Sequence, residues 1–188
     1  MFCAVSEMPF INAIFWEFIQ NAPVLVLFMA TVWLWAKGRR RDAVVCSAIS
    51  AVVGSLLIRF TEPLISGYHE PWSVTLVNIV AFGGLQVLFA AYLGTESRWS
   101  SWKTDVLFGG LAGIGLALAQ GIASDGSPWI GIVLHGLALG LIGALLMGGL
   151  RQQKDKPLKT ALTNATWLAL FMTLVISAID YSYLFLLA

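Results

Sequence analysis

Lys37-Gly38-Arg39-Arg40-Arg41 places four basic side chains in five positions, between two apolar runs at residues 10–36 and 43–60. A helix needs roughly 20 residues to cross about 30 Å of hydrocarbon, and each run comes close to or exceeds that length. The basic segment therefore reads as a turn held at one membrane face. Two more such segments follow, at residues 98–103 and 151–159, and Arg59 is the one Lys or Arg outside all three. Cytoplasmic loops concentrate Lys and Arg, so the three segments should share the inner side. The apolar stretches then cross the membrane six times, with both termini outside.

The expected fold is an all-α, polytopic six-helix bundle forming a single domain over residues 1–188. Its spans are placed at about 10–36, 43–60, 74–94, 104–123, 128–150 and 160–187. Composition gives the same class without using charge position. The chain is 59% hydrophobic and only 11% charged, with a mean hydropathy of +0.83, whereas roughly a quarter of residues are charged in a soluble domain. A net charge of +1 and the absence of a long basic stripe argue against nucleic acid as a partner. A multi-pass location in a prokaryotic plasma membrane is expected.

Tryptophan provides a second check, because its ring favours the headgroup level. Trp33, Trp35, Trp99 and Trp102 fall at the inner interface, and Trp72 and Trp129 at the outer one. Trp16 and Trp167 fall inside spans, where packing is the simplest role. Cys3 and Cys46 lie on opposite sides of the membrane in this topology, which excludes a disulfide between them. The N-terminal residues lack the basic n-region of a signal peptide and are read as mature structure.

Spans four and five carry small residues every four positions: Gly109, Gly113, Ala117 and Gly121, then Gly136, Gly140, Ala144 and Gly148. In lipid such ridges let helices approach closely. They predict a tight central hairpin, or else an interface with a second copy or another membrane protein.

Strongly polar side chains concentrate in the expected outer half. They are Glu17, Gln20, Asn21, Arg59, Asn78, Gln120, His135 and Asp180, with Glu62, His69 and Glu70 in the connection between spans two and three. Charged groups inside a bilayer are expensive and usually face a cavity or a partner. Glu17, Gln20 and Asn21 share one helix face, and Pro23 is expected to interrupt the helix beside them. Interrupted helices with polar linings are how many transporters build a binding site.

Three functions fit. The first is a transporter or transporter subunit with an outward-facing pocket for a small solute or ion, lined by Glu17, Gln20, Asn21, Arg59, Asn78, Gln120, His135 and Asp180. The second is a membrane enzyme acting on a lipid at the outer leaflet, with His69, Glu70 and His135 as its chemical groups and Arg59 on a phosphate. The third is a non-catalytic assembly subunit using the glycine ridges. His69, Glu70, His135 and Asp180 are also the types that bind a divalent metal, and the two histidines could ligate a haem. No spacing motif specifies either cofactor. His69-Glu70 is not a zinc HExxH helix, since Ser73 stands where the second His is required. The Gly-x-Ser-Gly motif of rhomboid proteases and the motifs of six-span lipid phosphatases are missing, which lowers the enzyme reading.

Overall fold

The computed structural model describes residues 10–66, 69–94, 103–105, 107, 110, 111, 115, 118, 145 and 147–187, with side chains throughout these except at 10, 11, 13, 65, 66 and 176–187. Four long helices emerge: α1 (Phe10–Ala36), α2 (Arg40–Ser66), α3 (Trp72–Gly94) and α4 (Leu158–Leu187). No strand occurs among the described residues. Each helix contains a stretch long and apolar enough to cross a membrane: Ile14–Ala36, Arg40–Leu64, Trp72–Gly94 and Leu158–Val175. The chain is an all-α, multi-pass membrane protein. Most of the expected fourth and fifth spans lies outside the described residues.

The opening basic segment is a helix-to-helix turn. Gly38 adopts a left-handed φ of 77°, its N–H donates to Trp35 O at 2.9 Å, and Arg39 N–H donates to Leu34 O at 2.9 Å. This pair of bonds is a Schellman stop, which favours glycine because a Cβ is disfavoured at positive φ. α2 begins at Arg40, ahead of the expected 43, and runs to Ser66, past the expected 60 and through Pro63. Hydropathy marks where a helix enters lipid, whereas the hydrogen-bond ladder runs on into water until a cap ends it.

α1 packs against all three other long helices, and α2 also packs against α3. The core centres on Leu25, Met29, Val32, Ala90, Leu93 and Leu150, with Ala161, Ala165 and Ala169 presenting the small face of α4. Leu76, Val80 and Leu88 on α3 and Phe60 and Leu64 on α2 are exposed, as lipid-facing residues should be. α1 is unbroken through Pro23, so the expected interruption is absent. Proline at 23 removes only the N–H that would bond Ile19 O, and the rest of the ladder carries the helix on; beyond that point Ser50 Oγ of α2 donates to Val24 O at 3.3 Å and Cys46 Sγ to Leu27 O at 3.4 Å.

A close helix approach is on α2. Ala43, Ser47, Ser50 and Ala51 are fully or almost fully buried, and Ser47 Oγ donates to Gly83 O of α3 at 2.8 Å. A Cβ built on Gly54 would lie 2.6 Å from Val24 Cγ2 of α1. Of the expected glycine ridges, Gly148 is the one described member, and a Cβ there meets nothing within 4 Å. Gly109, Gly113, Gly121, Gly136 and Gly140 lie outside the described residues.

The described parts of the basic segments gather at one end. Trp33 Nε1, in the last turns of α1, donates to Lys156 O at 3.0 Å. Asp105, two residues beyond Lys103, is bonded to Arg151 by contacts of 2.5 and 2.9 Å.

Candidate functional site

The structure gathers the described polar candidates into two groups, both away from the basic end. In the first, Asn21 Nδ2 donates to Glu17 O at 2.9 Å and to Glu17 Oε2 at 3.1 Å. Gln20 Nε2 donates to Thr61 Oγ1 at 2.5 Å, and the Thr61 hydroxyl donates to Leu57 O at 2.6 Å. Gln20 and Thr61 are both buried. A Gln side chain thus ties α1 to α2 inside an apolar bundle, where an unmade bond would be costly.

The second group is built around Glu70, at the head of α3. Pro71 O accepts from Val74 N–H at 3.1 Å and Thr75 N–H at 3.2 Å, which starts the helix and turns the residue before it inward. Glu70 is 7% exposed. Its Oε1 accepts from Asn78 Nδ2 at 2.9 Å and its Oε2 from Thr75 Oγ1 at 3.3 Å. Arg59 of α2 donates through Nη1 to the Glu70 backbone carbonyl and, at 3.3 Å, to Thr75 Oγ1. The guanidinium also lies 3.6 Å from the Trp72 ring centroid, a cation–π contact that holds it in place.

Burial pushes the Glu70 carboxyl above its usual value, and the Glu62 charge pushes the same way; the Thr75 hydroxyl, the Arg59 charge and the Asn78 amide oppose them. Neutral donors, rather than a countercharge on the carboxylate oxygens, hold the group. Such a carboxyl can take up a proton without breaking an ion pair.

Below Glu70 the buried face of α3 stays polar. Thr75, Asn78 and Gln86 are buried, and spacings of three and eight keep them on one side of the helix. Gln86 Oε1 has no hydrogen-bond partner, nor has Ser55 Oγ on α2 or Thr173 Oγ1 on α4. Orphaned polar atoms are rare in folded proteins and mark places suited to polar occupants.

His69 is exposed beside the cluster. Among the described residues no three of His, Cys, Asp and Glu come together to hold a metal. Gln120 and His135 lie outside the described residues, and Asp180 lies on α4 where side chains are not described. Thr75 escaped sequence reasoning because a threonine on an apolar helix carries no signal of its own.

At the basic end a second polar group also escaped it. Asp105 is 5% exposed and accepts from Arg151 Nη1 and Nη2 in a bidentate pair, while Tyr92 OH donates to Asp105 Oδ1 at 3.0 Å. The Arg151 guanidinium lies 5.4 Å from the Tyr92 ring centroid. A readable signal existed: an acid in the first turn of an apolar span requires a partner. Counting Arg151 for topology alone hides that partner.

The chain matches no protein-family model, no curated protein and no solved structure. Its site must be read from its own chemistry.

Proposed function

We propose that the protein is a transporter or transporter subunit of six spans, with both termini outside, that admits a small solute or ion to the polar face of α3 from the outer side. Glu70 is its proton-binding group. The observation that carries this reading is a nearly buried carboxyl, held by neutral donors and raised by burial, at the head of a buried polar face that continues through Thr75, Asn78 and Gln86. Groups of this kind inside membrane proteins serve proton relays and substrate paths.

The topology has its own support. The chain leaves the basic end at Asp105 and is back there at Arg151. Residues 106–150 suit two crossings of about 20 residues each. A prokaryotic plasma membrane is the location this reading implies. An enzyme acting at the lipid surface fits less well, because both Glu70 oxygens are engaged and the carboxyl faces the bundle.

Proteoliposomes on a solid-supported membrane test the reading. Concentration jumps of amino acids, carboxylates, sugars and monovalent cations should give a transport current for at least one class, and Glu70→Gln should abolish its dependence on pH. Absence of current for every class, with folded protein in the vesicles, overturns it.

A further inference from the structure

Trp167 is 63% exposed in the middle of an apolar helix, so the packing role expected for it is not its role. It forms one wall of a groove of about 320 Å³ between residues 149–153 and α4, with Leu150 and Ala165 as a buried floor. That size is at the lower end of small-molecule sites, roughly 300–1,000 Å³. Gly149 leaves room for Leu168, whose Cδ2 would lie 3.0 Å from a Cβ there. Towards the basic end Asn164 Nδ2 donates to Gln153 Oε1 at 2.7 Å, so an apolar trough ends in a polar pair.

The chain beyond that pair is fixed and basic. Gln153 N–H donates to Leu150 O, Lys156 N–H to Gln153 O and Ala161 N–H to Pro157 O, at 2.9 to 3.1 Å. Trp33 anchors the Lys156 carbonyl. Arg151 is committed to Asp105, which leaves Lys154, Lys156 and Lys159 against one acid, Asp155, in this segment. At 1.5 Å per residue, Trp167 lies roughly 13 Å along α4 from its start, at the depth of acyl chains rather than headgroups.

We infer that this groove binds one anionic phospholipid of the leaflet at the basic end. Its phosphate meets the lysines of residues 154–159, its glycerol region meets Gln153 and Asn164, and an acyl chain lies against Trp167 and Leu168. Basic pockets between membrane helices recognise anionic headgroups in this way. The inference does not depend on the transport reading.

Native mass spectrometry of the full chain, released from detergent containing equimolar phosphatidylglycerol and phosphatidylcholine, tests it. Wild type should retain phosphatidylglycerol in preference by at least roughly fivefold, the ratio one lysine near an anionic surface supplies. The triple variant Lys154→Gln, Lys156→Gln, Lys159→Gln should bring that ratio close to unity. Trp167→Ala, at an exposed position, should lower retention of both lipids. Neutralising Arg39, Arg40 and Arg41 to Gln should leave the wild-type ratio intact. Circular dichroism and size-exclusion chromatography confirm that each variant is folded. Equal retention of the two lipids by wild type, a second copy of the chain in place of lipid, or an equal loss on neutralising residues 39–41 overturns the proposal.

Discussion

Two buried carboxylates, one at each end of the bundle, are held in opposite ways. Asp105 at the basic end is clasped by both Nη atoms of Arg151, with Tyr92 as a third donor. Glu70 at the other end also has an arginine beside it, but Arg59 gives its N–H to the Glu70 backbone and to Thr75 and stacks on Trp72. The carboxylate itself receives an amide and a hydroxyl. The difference separates a clamp from a titratable site. The bidentate pair joins three parts of the chain; a charge held by neutral donors can be given up.

The largest effect should come from breaking the clamp. Arg151→Leu leaves Asp105 buried without its guanidinium, which costs about 3–5 kcal/mol for a buried pair. Unfolding in mixed detergent micelles checks this, and a cost under about 1 kcal/mol would mean the pair acts as an exposed one. At the other end, Asn78→Ala removes one of two donors from Glu70 and should cost about 1–3 kcal/mol, as for an unsatisfied buried acceptor. That cost should shrink at low pH, where the carboxyl is protonated and needs fewer donors.

Smallest in stability but sharpest in diagnosis is Glu70→Gln. The folded protein binds the Glu70 proton more tightly than the unfolded chain does. Its contribution to stability is therefore fully present below the ordinary carboxyl value of 4.5, and is lost as pH rises through the elevated folded value. Wild type should weaken relative to Glu70→Gln across that window, and the variant should lack this component. Parallel stability curves for the two proteins would show that Glu70 does not titrate there.

Much of this was legible in the residues. The charges at 37–41 and 151–159 placed turns, and hydropathy placed the four described long helices, since crossing lipid imposes length and apolarity on any span. Gly38 is the position where a left-handed stop is needed. The sites were less legible because contacts across helices depend on rotation and depth, which periodicity does not specify. Arg59 was expected to line a pocket or to hold a phosphate; among the described residues it meets Glu70, Thr75 and Trp72. Pro23 was expected to interrupt α1, yet the loss of a single N–H leaves the rest of the ladder in place and the helix continues. Apart from Gly148, the Gly109 and Gly136 ridges lie outside the described residues; among those residues, close packing occurs at Ser47, Ala51 and Gly54, where small residues also recur every three or four positions.

By itself, then, the sequence determined that this is a helical membrane protein, where its basic end lies and which polar side chains lipid would not tolerate alone. Only the tertiary structure decided which of those side chains share a site. It turned Glu70 inward onto Thr75 and Asn78, closed Asp105 onto Arg151, and left Trp167 facing out beside a groove. The physical reason is that hydrophobicity acts on each residue separately, whereas a hydrogen bond between helices exists only once packing has brought both partners within about 3 Å.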